Sequence, residues 1–254
     1  YVLYLWHSES QVSRSKKTGY IALLALFLTF FVLSQTRGGF LGLAVGIIIF
    51  FLYIACSDRR FRKFAAGSLM GLVALGALIF AFRGPIIAHN IPGNRFLTIS
   101  FTANSAQTRL WTWNSAFQGL KERPLFGWGP ENFSTVFDKY FDTRHYVAGQ
   151  NTETWFDRAH SVVFDYLAET GFLGLLSYVG MFAAFYYAFF RARFAAVVSS
   201  PVIRGLLFAM PIAYLVQGSI LFDVLPIYFN LFTLLALGMY EFNAPANASS
   251  EPRP

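Results

Sequence analysis

The stretch Thr170-Gly-Phe-Leu-Gly-Leu-Leu-Ser-Tyr-Val-Gly-Met-Phe-Ala-Ala-Phe-Tyr-Tyr-Ala-Phe-Phe190 contains no charged residue. As a helix rising about 1.5 Å per residue, it is long enough to cross the roughly 30 Å hydrocarbon core of a bilayer. Arg191 and Arg193 close it on one side. On the other, His160 to Glu169 adds about 15 Å of helix, which lifts the imidazole of His160 to the membrane surface or beyond it. With 100° per residue, His160, Phe164, Leu167, Gly171 and Gly174 fall on one side, and the glycines read as a small-residue seam for another helix. Asp165 and Glu169 point the opposite way.

The composition agrees with a membrane reading. Of 254 residues 56% are hydrophobic, 19% aromatic and only 13% charged, and the mean hydropathy is +0.48. That is too apolar for a soluble domain of this size. The single cysteine, Cys56, excludes a disulfide within the chain and a multi-cysteine metal site. The net charge of +7 does not imply nucleic acid, because the basic residues cluster beside apolar spans.

Outward from Thr170–Phe190, five more spans are expected: Thr18–Thr36, Gly38–Ser57, Phe64–Phe82, and about Gly205–Phe222 and Val224–Tyr240. The prediction is an all-α, polytopic transmembrane helix bundle of about six spans forming one membrane domain over 1–254. Tyr1 to Trp6 reads as the stub of an earlier helix, so the chain is expected to be the C-terminal part of a longer protein. Residues 243–254 read as a disordered tail. The basic groups Arg14–Lys17, Arg59–Lys63 and Arg191–Arg204 share one face, which the positive-inside rule makes cytoplasmic. Arg37, the long loop 83–159 and His160 then share the other, extracytoplasmic face.

Within that loop, Leu110, Trp113, Phe117 and Leu120 recur at helical spacing and predict an amphipathic helix over Gln107–Leu120. It is expected to lie along the interface, with Trp111 and Trp113 as anchors. Phe126-Gly127-Trp128-Gly129-Pro130 reads as a turn that returns the chain toward the bilayer.

Arg37 is the only charge between Lys17 and Asp58. One reading is an arginine snorkelling at a tight turn. The other is an anion site, in which Gly38 and Gly39 expose backbone N–H groups at a helix start beside a guanidinium that suits phosphate. Arg109 is either a solvated loop arginine or part of such a site, and His160 by itself fits either a capping or a chemical role. The sequence has no Asp-x-Asp pair, no His-x-x-x-His and no Gly-x-Ser-x-Gly elbow, so neither metal chemistry nor serine hydrolysis is expected.

The run Thr36-Arg37-Gly38-Gly39-Phe40-Leu41, then Arg109-x-x-x-Trp113 leading to Pro124-Leu125-Phe126-Gly127-Trp128-Gly129, then His160-Ser161 and Gly171-x-x-Gly174-Leu175, resembles the O-antigen ligase/polymerase family of polytopic membrane proteins. The resemblance covers about Thr18 to Arg193. It implies an enzyme of the bacterial inner membrane that moves a glycan from a polyprenyl-diphosphate carrier to an acceptor hydroxyl on the periplasmic face, with inversion and without metal or other cofactor. The acceptor is lipid A core for a ligase, another glycan for a polymerase, or protein for an O-oligosaccharyltransferase. Arg37 and Arg109 match the diphosphate-binding arginines, His160 the functional histidine, and Gly38, Gly39, Gly171 and Gly174 the structural support. Neighbouring guanidinium groups favour a neutral imidazole, which suits a general base.

Two other classes compete. A transporter places ionisable residues near the midplane, and the first four spans carry essentially none there. A structural subunit of an envelope assembly predicts that the arginines and the histidine are dispensable.

Overall fold

A computed structural model of the chain describes residues 2, 13–57, 59–89, 104–146, 154–194 and 200–243. Among these residues the regular structure is helical throughout. The helices are α1 (Arg14–Ser34), α2 (Arg37–Ser57), α3 (Arg62–Ala81), α4 (Arg83–Ala88), α5 (Asn104–Glu122), α6 (Phe133–Lys139), α7 (Val162–Phe194), α8 (Pro201–Gly218) and α9 (Leu225–Asn243), with a 3-10 turn at Thr143–His145. Six of them, α1, α2, α3, α7, α8 and α9, are long and apolar enough to cross a membrane. The fold is the polytopic helical bundle that the charge-free runs predict. The expected N-terminal stub, apart from residue 2, and tail positions 244–254 lie outside the described residues.

The chain divides into two compact units, Tyr1–Thr98 with Tyr186–Ala213 and Thr233–Pro254, and Ile99–Phe185 with Tyr214–Phe232. In the first unit, α2 is the organising helix. Its buried residues include Gly38, Gly42 and Gly46, spaced four apart so that they form one small-residue stripe. A Cβ on Gly46 would come 2.8 Å from that of Ala213, so α8 meets α2 backbone to side chain. Further along, Tyr53 packs between Phe189, edge-on, and Phe208, tilted, with ring centroids at 5.8 and 5.0 Å. The hairpin of α1 and α2 turns at Gln35, which adopts a left-handed φ of 49° and donates its N–H to Val32 O.

The second unit has a core of Ala116, Phe133, Phe137, Phe156, Ala159 and Ala168, with Trp113 and Phe164 packed against it. Here α5 forms where the sequence expects a helix. Its buried face is Thr112, Ser115, Ala116, Gly119 and Leu120, while Leu110 and Phe117 are exposed. Small residues win because the approach is close and their hydroxyls are satisfied: Thr112 Oγ1 donates to Thr108 O at 2.8 Å and Ser115 Oγ to Tyr140 O at 2.8 Å. Trp111 and Trp113, expected as membrane anchors, instead pack into this unit, Trp111 edge-on to buried His145 at 5.4 Å and Trp113 stacked on Phe164 at 4.9 Å.

Candidate functional site

His160 and Ser161, with which the seam reading opens a helix, lie before one. α7 begins at Val162, and His160 adopts a left-handed φ of 56°. Histidine visits that region more readily than most residues, yet at a cost that neighbours must offset. The neighbours grip both backbone groups of one residue. Ala159 N donates to Asp165 Oδ1 at 2.6 Å, and Ala159 O accepts from Trp113 Nε1 at 2.9 Å. Val162 N donates to Leu221 O at 3.1 Å, which ties down the other flank. The half-buried imidazole of His160 meets Phe156 and Phe222 edge-on, at 5.4 and 5.0 Å, and its Nδ1 lies 3.3 Å from Arg158 O.

Asp165 and Trp113 therefore carry functions that periodicity did not predict. Asp165 in the first turn of a helix was a legible signal, since an acidic side chain there accepts from preceding backbone N–H groups. The indole contact was not legible, because it spans 46 residues of sequence. Trp113→Phe keeps the stack on Phe164 but leaves the carbonyl of fully buried Ala159 without its donor. Denaturant unfolding is expected to show a loss of about 1–3 kcal/mol; unchanged stability would remove the indole from the clamp.

The glycines of α7 also differ from the seam reading. Gly171 sits at φ 65°, ψ −164°, a region open essentially to glycine alone, and the helix breaks there. Phe172 N and Leu173 N donate to Pro124 O and Leu125 O at 2.8 and 3.2 Å. The carbonyls they would have met in a continuous helix, Ala168 O and Glu169 O, accept from Trp128 N and Gly129 N at 2.9 and 2.7 Å. The turn Pro124–Gly129 is thus spliced into α7, satisfying the backbone groups on both sides of the break. A Cβ on Gly171 would stand 2.6 Å from Leu125 O, and one on Gly127 2.5 Å from Glu169 O, so the two motifs require each other's glycine. The break ends the single helical face from His160 to Gly174, and a Cβ on Gly174 would meet the side chain of Thr170 rather than another helix.

Arg109 is half-buried near the start of α5, one turn before Trp113 on the same face. It belongs with His160 to the second unit, and Arg37 belongs to the first. Arg37 opens α2 and is half-buried. Gly38 and Gly39 are buried beneath it, and a Cβ on Gly39 would lie 3.2 Å from the Phe31 ring. They are close-packing residues of the hairpin rather than an exposed cradle. Among the described residues, no group of three or more His, Cys, Asp or Glu side chains could hold a metal ion.

Fold and site together define a multi-pass helical membrane protein with a compact unit that presents a histidine in a strained, doubly held loop. A family model described as O-antigen ligase matches residues 22–179, a range that contains Arg37, Arg109, His160 and Gly171. A Rickettsia conorii protein named as a polysaccharide ligase is 27% identical over 173 residues, covering 66% of this chain and 39% of that protein. The chain belongs to the O-antigen ligase family, and it spans about two fifths of the length of the curated relative it matches.

Proposed function

We propose that the protein transfers a glycan from a polyprenyl-diphosphate carrier to an acceptor hydroxyl, at the periplasmic face of a bacterial inner membrane. The observation that carries this reading is the two-sided clamp on Ala159, which holds His160 out of the helix in a protein of the ligase family. In the proposed reaction His160 takes the proton of the acceptor hydroxyl as its oxygen attacks the anomeric carbon. The bond from that carbon to the diphosphate oxygen breaks, and the configuration inverts. Arg37 and Arg109 stabilise the charge on the departing lipid diphosphate, which needs no metal if guanidinium groups supply it.

The first unit supports an amphiphilic donor. An apolar cavity of about 730 Å³ lies along α2 and includes Leu43, Gly46, Ile47, Phe50 and Phe51. At about 1.5 Å per residue it begins roughly 9 Å from Arg37 along the same helix. A cation at the helix start with an apolar groove below it suits an anionic head and an isoprenoid tail.

The test supplies the purified whole protein, in lipid, with polyprenyl-diphosphate glycan and lipid A core, glycan or peptide acceptors. Formation of a glycosylated product is expected, and the product identifies the acceptor; carrier left intact with every acceptor would overturn the reading. Arg37→Ala is expected to abolish transfer while the protein still inserts in the membrane. Chelator is expected to leave the rate unchanged, and a loss restored by added divalent cation would show that a metal takes part.

A further inference from the structure

The second unit contains a cavity of about 200 Å³ beside the His160 segment. Arg158 and Val162 line it from either side of that segment, and Asp223, which follows the Phe222 that touches the imidazole, lines it from the α8–α9 connection. Three buried carboxylates face it, Asp165 at 7%, Glu169 at 7% and Asp223 at 8% exposure. Asp165 uses one oxygen on Ala159 N, and Asp223 uses one on the Tyr214 hydroxyl.

Glu169 is held by the backbone N–H groups of Glu131 and Phe133, yet it keeps one oxygen open. Its Oε1 is buried and has no hydrogen-bond partner; the Arg158 guanidinium stands 3.7 Å away, beyond hydrogen-bond length. Arg158 is instead hydrogen-bonded to Glu131, whose side chain is 73% exposed. Burial pushes the Asp223 carboxyl up from its usual range, against the lowering effect of its Tyr214 bond. Acceptor capacity in the cavity exceeds what the protein itself satisfies, and a buried group in that condition is costly until a ligand arrives.

The chemistry selects the ligand class. A cation would pair with the carboxylates but oppose Arg158, and an anion would do the reverse. Hydroxyl groups donate to carboxylates and accept from a guanidinium, so a polyhydroxyl ligand uses both. Tyr166 and Tyr228 complete the walls with rings that suit the C–H face of a pyranose. The volume is below the about 300–1,000 Å³ of drug-sized sites, which fits one sugar ring. His160 does not line the cavity, so the ring held there is a neighbour of the reacting one.

Resting on the proposed transfer reaction, we infer that this cavity is a monosaccharide subsite for the glycan acceptor, with Glu169 and Arg158 as its recognition pair.

The test uses the purified whole protein in lipid, with methyl gluco-, galacto- and mannopyranosides as probes and saturation-transfer NMR as readout, no donor being present. At least one pyranoside is expected to bind, and Glu169→Gln is expected to weaken it about tenfold or more. The variant should keep its thermal stability. Glu131→Ala, at the exposed rim, serves as a second variant and should change affinity without unfolding. Absence of pyranoside binding, unaltered binding in Glu169→Gln, or binding of ethanolamine in place of pyranosides overturns the subsite. Glu169-dependent binding by a protein that transfers no glycan keeps the subsite and sinks the transferase reading; transfer unaffected by Glu169→Gln does the opposite.

Discussion

His160→Asn is expected to lower glycan transfer by about 10²–10⁴-fold, the range a positioned general base contributes, while the thermal unfolding of the protein stays close to that of the parent. Asparagine is the informative replacement because of the backbone. His160 sits at φ 56°, where Asn is among the tolerated residues and Ala carries a steric cost. His160→Ala is expected to abolish transfer too, but it mixes loss of the imidazole with a strained loop. The clamp from Asp165 and Trp113 grips Ala159, not the imidazole, so it survives in the Asn variant. Near-normal transfer by His160→Asn, measured with polyprenyl-diphosphate glycan and acceptor, would remove the base from the mechanism.

Gly171→Ala is expected to be strongly destabilising. The backbone region at Gly171 costs an L-residue about 1–3 kcal/mol before any contact is counted. The added Cβ then stands 2.6 Å from the Leu125 carbonyl oxygen, and backbone cannot rotate aside as a side chain can. Relief requires the Pro124–Gly129 turn to withdraw, which breaks four hydrogen bonds worth about 1 kcal/mol each. Amide hydrogen exchange reads this locally: Phe172, Leu173, Trp128 and Gly129 are expected to lose protection together. Gly180→Ala, where nothing lies within 4 Å of the new Cβ, is the control and should leave exchange unchanged. Independent behaviour of the four amides would mean that the turn and the helix break are not one device.

Much of the fold was legible because a membrane span is a local property. Twenty apolar residues without charge suffice to cross hydrocarbon whatever else the chain does, and all six spans were found that way, most ending within a few residues of the expected bounds. The motifs around Arg37, Arg109 and His160 were legible for a related reason, as short runs at fixed spacing. Their arrangement was not. The α5 periodicity named Leu110 and Phe117, which are exposed, but not the opposite face, where Thr112, Ser115 and Gly119 pack inward because closeness of approach decides that contact.

His160 and Gly171 mark the boundary between what the chain states by itself and what its tertiary structure decides. Sequence alone determined that α7 crosses a membrane, that a histidine precedes it, and that glycines at 127 and 171 belong to recognisable motifs. Only the folded second unit decided that the histidine stands outside the helix, and that the glycines lock a turn into a helix break. The physical reason is that a helix is assumed continuous unless another segment satisfies the N–H and C=O groups freed by a break. Here the donors and acceptors come from Pro124–Gly129, some forty residues earlier in the chain, and no local pattern near Gly171 encodes their arrival.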